Sequence, residues 1–556
     1  MKAVVFLIAV SGLLTGCGSE RDSGEDLSRQ TGAAEPGTTT DDAKAEVVVL
    51  ARGAAISGAN GIAFAPDGRL FIASVIGSEL VVMDPDSGRI LERRSDGVDG
   101  PDDIAFNSQG DYYWTSILTG EVAGMTANGT RITAARLTPG VNPLTFSDDD
   151  RLFVSQCFFD DKLYEVDPRG LTPARLIADD LGPGCGLNGM DWGPDGRLYG
   201  PRWFQQQVVS FDVDTGERRI EATGLEVPAA VKFDSRGVLH VLDTMAGAVV
   251  RIEDSRQTIV ADLEPGLDNL AFDAADRLFV SSFADGAVWR IEADGTPRAL
   301  APSGMAHPGG VALLERARGN LVAVADLHAL RGFSVEDGTP VFTQRNVLGV
   351  GALGSLTSLT ADGANLILTS WTENSVRVWD PVAEKTLERH DNLRLPVSTV
   401  RYQGELVVAE HAAGEVRSMG TAGSTVYASG LSAPTALCTD GRSLWVSDRA
   451  EGRVLRIADD GRAIEPVVVA EGLAAPEGLA LWRGRLLVRE GESGRVLVLD
   501  SGNPRVLVTL GAGSPAASEA QPPSMIFNDI VVAGERLYAA DELTRQLVRV
   551  DLSGVN

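Results

Sequence analysis

Short runs in which apolar and polar residues alternate fill most of the chain, and they predict β-strands rather than helices. One strand rich in β-branched and aromatic residues recurs twelve times, mostly at intervals of 38 to 46 residues. Its copies are residues 69–74, 111–116, 151–156, 197–202, 238–243, 277–282, 320–325, 365–370, 405–410, 443–448, 485–490 and 536–541.

Each copy lies in the same frame. A short strand and a turn such as Pro66-Asp67-Gly68 precede it, and two further strands follow it. Proline fixes φ at such a turn, aspartate accepts its hydrogen bonds, and glycine supplies a positive φ. Four strands in about 40 to 45 residues are typical of a β-propeller blade.

Twelve blades exceed the four to eight that are usual in one ring. The sequence therefore predicts an all-β fold of two tandem six-bladed β-propellers, at residues 46–295 and 296–556, over one continuous twelve-bladed ring. We expect strand 46–50 to close the first ring and residues 298–301 to close the second, because a propeller must cover its sheet edges.

The first 16 residues have the pattern of a bacterial lipoprotein signal peptide. Lys2 is followed by an apolar run that is too short to span a bilayer, and the run ends in Leu14-Thr15-Gly16-Cys17. We expect Cys17 to carry the lipid and residues 17–45, rich in small and acidic residues, to form a flexible linker. This predicts a lipid-anchored protein of the cell envelope, on the outer membrane and facing the periplasm or the surface.

The charge of the chain argues against one class of partner. Its 49 basic and 77 acidic residues give a formal net charge of −28. Such a chain repels nucleic acid and favours cations. The membrane, through the lipid, and an unidentified small-molecule, glycan or protein ligand are the partners that we expect.

Three cysteines follow Cys17. Cys157 and Cys185 lie in neighbouring repeats, and an oxidising compartment permits a disulfide between them. The alternative, to which we give equal weight, is that Cys157 and Cys185 are two buried thiols. Cys438 lies in a predicted apolar strand, so we expect it to belong to the core.

The first residues of the innermost strands face one another around the axis of a propeller. In the first ring, five of these six positions are Asn or Asp: Asn60, Asp102, Asn142, Asn188, Ala229 and Asp268. Converging carboxylate and amide oxygens suit a hard divalent cation such as calcium. The alternative is that Asn and Asp only satisfy turns there. The second ring holds one carboxylate, Glu477, at these positions and is the poorer candidate.

Aromatic and basic residues near the ends of second strands indicate a binding mouth in the first ring, with packing between blades as the alternative. They are Trp114, Phe158, Phe159, Arg202, Trp203 and Phe283.

The segment LNGMDWGPDGRLY at 187–199, with NGIAFAPDG at 60–68, resembles the senescence marker protein/gluconolactonase/luciferin-regenerating enzyme family. The resemblance implies a six-bladed propeller with one divalent cation, and lactone or ester hydrolysis in some members. It matches Asn142 and Asn188 to two cation ligands. Asn60 stands where the family has Glu, and Ala229 where it has Asp, so Asp102 and Asp268 would have to supply the missing charge.

Two functional hypotheses follow. The first is a tethered binding protein with a structural cation in the first ring. The second is a metal-dependent hydrolase in which Asp102 or Asp268 is the base.

The lipid anchor gives the first testable prediction. Cys17→Ser should abolish incorporation of radiolabelled palmitate and release the protein from the membrane fraction, because the thiol is the acylation site. Cys438→Ser is the matched control and should keep the label. A labelled Cys17→Ser protein would contradict the assignment.

Overall fold

A computed structural model describes residues 45–182, 184–316, 319–420, 423–500, 504–511 and 527–555. The signal peptide, Cys17 and nearly all of the predicted linker lie outside these residues, so their assignments stay predictions. The described chain forms twelve four-stranded antiparallel sheets. The prediction of tandem β-propellers is confirmed.

The first strand along the chain is β1 (Val47–Ala51). The first six sheets then follow in order: β2 (Ile62–Phe64), β3 (Leu70–Ser74), β4 (Glu79–Met83), β5 (Ile90–Arg94); β6 (Pro101–Phe106), β7 (Tyr112–Ser116), β8 (Glu121–Met125), β9 (Arg131–Arg136); β10 (Val141–Phe146), β11 (Leu152–Gln156), β12 (Leu163–Val166), β13 (Arg175–Ala178); β14 (Asp191–Trp192), β15 (Leu198–Arg202), β16 (Gln207–Phe211), β17 (Arg218–Thr223); β18 (Pro228–Phe233), β19 (Leu239–Asp243), β20 (Ala248–Glu253), β21 (Arg256–Asp262); β22 (Leu267–Phe272), β23 (Leu278–Ser282), β24 (Val288–Ile291), β25 (Pro297–Ala301). A 3-10 helix, Trp203–Gln205, follows β15.

The other six sheets are β26 (Val311–Leu314), β27 (Leu321–Asp326), β28 (Ala329–Ser334), β29 (Pro340–Arg345); β30 (Ser358–Asp362), β31 (Asn365–Ser370), β32 (Ser375–Asp380), β33 (Lys385–His390); β34 (Pro396–Tyr402), β35 (Glu405–Glu410), β36 (Glu415–Ser418), β37 (Val426–Ala428); β38 (Pro434–Thr439), β39 (Ser443–Asp448), β40 (Arg453–Asp459), β41 (Arg462–Ala470); β42 (Pro476–Trp482), β43 (Arg485–Glu490), β44 (Arg495–Leu499), β45 (Arg505–Thr509); and β46 (Ile530–Ala533), β47 (Arg536–Asp541), β48 (Gln546–Asp551) with β1. A second 3-10 helix, His411–Ala413, follows β35.

Two separate rings result. In the first propeller, blades one to six (β2 to β25), the sixth blade returns to the first, where Ser281 Oγ donates to the Asn60 carbonyl at 2.6 Å. In the second propeller, blades seven to twelve, Arg536 of the last blade pairs with Glu336 of blade seven at 3.2 Å. Apolar side chains fill the space between blades, as Phe71 of blade one does against Tyr112 of blade two.

The predicted closing strands are wrong. Strand β1 does not close the first propeller; it pairs with β48, with Val47 opposite Val550 and Val49 opposite Val548. Residues 298–301 belong to β25, the outer strand of blade six. The physical reason is that blade six has a fourth strand of its own, β25, whereas blade twelve contains only three consecutive strands, β46 to β48. The free edge of β48 is therefore the one that needs a partner.

The first propeller is consequently inserted between β1 and the remainder of the second propeller. Its entering and leaving connections run side by side, with the Ala54 N–H donating to the Met305 carbonyl at 2.9 Å. Ser57 Oγ donates to the Ala306 carbonyl at 2.7 Å within the same crossing. These hydrogen bonds hold together the two connections that link the rings.

The position of β1 gives a stability prediction. A chain that begins at residue 52 loses several backbone hydrogen bonds to β48 and the packing of Leu50 beside Tyr538. At about 1 kcal/mol per hydrogen bond, the shortened chain loses roughly 3 kcal/mol of unfolding free energy. We therefore expect its melting transition at the lowest temperature to shift down by roughly 5–10 °C. The measurement is calorimetry against a chain that begins at residue 45, and equal melting temperatures would contradict the pairing.

Candidate functional site

A cavity of about 150 Å³ lies at the mouth of the first propeller, where that ring meets the second one. Its polar end is formed by all five of the Asn and Asp residues that the repeat pattern selected: Asn60, Asp102, Asn142, Asn188 and Asp268. The repeat frame therefore brings together side chains that are up to 208 residues apart (268 − 60).

Four of these five side chains form two hydrogen-bonded pairs. Asn142 Nδ2 donates to Asp102 Oδ2 at 3.3 Å, and the Asn60 side chain donates to Asp268. Asn60 Oδ1 also accepts the Val75 N–H at 3.2 Å, and Asn188 Oδ1 accepts the Gly189 N–H at 3.0 Å. The Asn60 and Asn188 side chains thus each accept one backbone N–H of their own blade, and each of these two oxygens keeps a second lone pair.

The carboxyl groups of Asp102 and Asp268 both have raised pKa values. Burial, and then the charge of Asp103, raise the pKa of Asp102 to about 8. Burial, and then the charge of Asp102, raise the pKa of Asp268 well above its usual range. No cationic side chain in the described part of the chain contributes to either shift, so the pair either keeps protons or needs a bound cation.

A second polar layer lies beneath this pair. Asn269 Nδ2 donates to Asp103 Oδ1 at 3.1 Å, and Asp103 Oδ2 accepts the Leu144 N–H at 3.2 Å. Burial raises the pKa of Asp103 to about 6, and the charge of Lys232 opposes this rise. Gly61 permits the arrangement, because a Cβ there would lie 2.2 Å from Asp103 Oδ1.

Sequence reasoning missed Asp103 and Asn269. Both occupy the position between the channel residue and the apolar strand, where the other four blades of the first propeller have Gly, Pro or Ala. Within the first propeller that position is polar in blades two and six alone, which is the signal that would have identified the layer.

The wall of the cavity is aromatic. Phe158, Phe159, Trp203 and Phe283 line it, as the binding-mouth hypothesis expects. Phe158 has a φ of +64°, a conformation that bulky side chains rarely adopt. Cys157 and Cys185 form a disulfide directly beside it.

Two residues of the predicted mouth lie elsewhere. Trp114 is buried between blades one and two, where it stacks on Tyr112 with ring centres 5.9 Å apart. Arg202 donates through Nη2 to the Leu181 carbonyl at 2.6 Å and does not line the cavity. For these two residues the structure follows the packing alternative.

The second propeller closes the other side of the cavity with Leu327, His328, Leu348, Ser355 and Thr372. Trp203 Nε1 donates to the Leu348 carbonyl at 3.2 Å across the ring boundary. Arg345 of the second propeller pairs with Asp285 of the first at 3.0 Å. No sequence signal marked these residues, because they line the site only through the contact between the rings.

In the channel of the second propeller, the carboxylate of Glu477 has a cationic partner. Glu477 accepts from Arg449 Nε at 3.0 Å and from Asn528 Nδ2 at 2.9 Å. The Arg449 guanidinium thus supplies Glu477 with a positive charge that Asp102 and Asp268 lack.

The residues of the first channel fit a hard divalent cation. Two carboxylates and three amide oxygens are ligands that calcium accepts. Among the described residues no cluster of three His, Cys, Asp or Glu side chains is arranged to hold a metal. Any ion here would therefore depend on Asn60, Asn142 or Asn188 as well as on Asp102 and Asp268.

Comparisons with known proteins assign no family to the chain. No family profile and no curated protein matches the chain. A Xanthomonas campestris gluconolactonase structure is 18% identical, covers 43% of this chain and 87% of its own, and gives a TM-score of 0.35. The extracellular domain of a hybrid two-component system from B. thetaiotaomicron is 9% identical over 91% of this chain and 82% of its own, with a TM-score of 0.32. Streptogramin B lyase is 13% identical over 59% of this chain and 93% of its own, with a TM-score of 0.28.

Within the described residues, no helix is long and apolar enough to cross a membrane.

The raised pKa of Asp102 predicts a pH dependence. Folded Asp102 keeps its proton up to about pH 8, whereas the unfolded group loses it near its ordinary value of 3.8. The folded state therefore binds more protons between these values, and stability falls as pH rises through this window, by about 1.4 kcal/mol per pH unit for one such group. Urea unfolding in EDTA at pH 5 and pH 8 measures the fall.

Asp102→Asn should reduce that slope because an amide does not titrate, and the raised pKa values of Asp268 and Asp103 keep the remainder of the slope. The exposed Asp148→Asn is the control and should keep the wild-type slope. Equal slopes in wild type and Asp102→Asn would contradict the raised pKa of Asp102.

Proposed function

We propose that the protein is a lipid-anchored envelope protein that binds a divalent cation, calcium before others, in the channel of its first propeller. The cation and the aromatic wall together hold a small ligand in the cavity between the rings. The single observation that carries the proposal is the pair of enclosed carboxylates, Asp102 and Asp268, without a cationic partner among the described residues.

Charge and ligand chemistry support this reading. Two carboxylates in an enclosed site repel each other, and a divalent cation removes both the repulsion and the cost of burying the charge. Asn60, Asn142 and Asn188 add neutral oxygens, which calcium tolerates better than ions that prefer nitrogen or sulfur.

The cellular address rests on the sequence of residues 1–45. A lipid on Cys17 and a flexible linker would place both propellers outside the cytoplasm, where a disulfide between Cys157 and Cys185 is stable. Calcium is also more abundant there than in the cytoplasm.

Calcium titration of residues 45–556 tests the proposal. We expect one ion per chain by calorimetry, and a larger calcium-induced rise in melting temperature at pH 8 than at pH 5, because protons compete for Asp102 and Asp268. Asp102→Asn and Asp268→Asn should each weaken binding at least about tenfold, since each removes a ligand charge.

Glu477→Gln is the matched control, because Glu477 holds the corresponding channel position in the second propeller and already pairs with Arg449. It should leave the calcium affinity unchanged. No binding at millimolar calcium, or equal losses in all three variants, would refute the site.

A metal-dependent lactone or ester hydrolase is the second candidate, and the raised pKa of Asp102 favours it. A carboxyl group that titrates near neutral pH can serve as a general acid or base. A divalent cation held at this site would polarise a carbonyl oxygen. A screen of lactones and esters with the calcium-loaded protein tests this candidate, and turnover that survives Asp102→Asn and Asp268→Asn would exclude it.

A further inference from the structure

Two polar atoms of the second propeller point to a ligand. His328 Nδ1 and Ser355 Oγ are buried and have no hydrogen-bond partner within the described parts of the chain. Both residues line the same cavity as Asp102 and Asp268. A buried polar atom without a partner is costly, so two in one cavity call for a group that satisfies them.

The protonation state and the packing of the His328 side chain suit such a group. Burial lowers the pKa of His328 to about 4, so the ring is neutral at pH 7. Phe283 packs edge to face against it, with ring centres 4.9 Å apart. A neutral imidazole and a serine hydroxyl each offer a donor and an acceptor, and together they suit a hydroxyl or carbonyl oxygen.

The apolar part of the cavity lining suits a flat ring. Phe158, Phe159, Trp203 and Phe283 line it, and Leu327 and Leu348 complete an apolar wall. A cavity of about 150 Å³ has the size that holds one benzene-sized ring in an apolar protein interior. Aromatic walls favour stacked and edge-to-face contacts with such a ring.

We infer that the two propellers jointly bind a single-ring carboxylate that carries a hydroxyl or carbonyl group at the far end of the ring. Its carboxylate meets the cation at Asp102 and Asp268, and its far oxygen meets His328 and Ser355. This inference rests on the proposed cation site. It assigns to the second propeller the recognition of the far group.

The experiment compares three probes by calorimetry in saturating calcium: 4-hydroxybenzoate, benzoate and tyramine. The site should bind 4-hydroxybenzoate about tenfold more tightly than benzoate, because benzoate leaves His328 and Ser355 unpaired. Chelation of calcium should abolish the binding of 4-hydroxybenzoate. Tyramine carries an amine in place of the carboxylate and should not bind with calcium present or absent.

His328→Leu and Ser355→Ala should each reduce the preference for 4-hydroxybenzoate over benzoate to about twofold or less, while the calcium affinity stays unchanged. His390→Leu, on an outer strand away from the cavity, is the matched control and should keep the preference. Ser355→Ala removes only one oxygen, so it tests the inference even where His328→Leu alters folding.

Calcium binding without binding of any aryl carboxylate would overturn this inference alone and leave the cation site standing. Absence of calcium binding would refute the proposed function first. Binding of tyramine in EDTA would show that an organic ammonium, not a cation-bound carboxylate, occupies the acidic end, and it would overturn the inference. A preference that survives both variants would overturn the role of the second propeller.

Discussion

The pairing of β1 with β48 is the constraint on which the arrangement of the whole molecule depends. A sheet edge left open in blade twelve would expose unpaired backbone groups, and the first strand of the chain covers it. Because both ends of the described chain are thereby fixed in the second propeller, the chain must leave and re-enter that ring. The two connections between the rings lie side by side, and the Ala54 N–H of one donates to the Met305 carbonyl of the other. The mouth of the first propeller lies next to blades seven and eight.

The two rings share a backbone plan but treat charge differently. In the second propeller, Glu477 at the channel has Arg449 as its partner, and Arg489 pairs with Asp541 at 2.8 Å. Each of these two carboxylates thus has a guanidinium as its partner. In the first propeller, Asp102 and Asp268 line a cavity and have amides as neighbours, and this difference is the reason for proposing the cation site in the first ring.

Much of the fold could be predicted because it repeats locally. Each second strand, such as Leu70–Ser74 or Arg536–Asp541, has its own turn and its own alternation, so twelve blades could be counted from the sequence. The same register predicted that Asn60, Asp102, Asn142, Asn188 and Asp268 would meet, and they do.

Contacts between distant segments could not be read in this way. The partner of β1 depends on which blade lacks a fourth strand, and residues 46–50 carry no mark of that choice. Likewise His328 and Ser355 join the cavity only through the contact between the rings, and nothing in their local sequence distinguishes them from ordinary loop residues. Periodicity reveals what every blade shares, but it does not show which blade lacks a strand or which loops meet across the two rings.

A site shared between two rings has a consequence for specificity. In the proposed site the first propeller supplies the acidic side chains Asp102 and Asp268. The second propeller adds Leu327 and Leu348 to the cavity wall, together with two polar atoms, His328 Nδ1 and Ser355 Oγ, that have no hydrogen-bond partner among the described residues. Since Trp203 and Arg345 hold the rings together across the same boundary, the fold and the selectivity of the cavity depend on one interface.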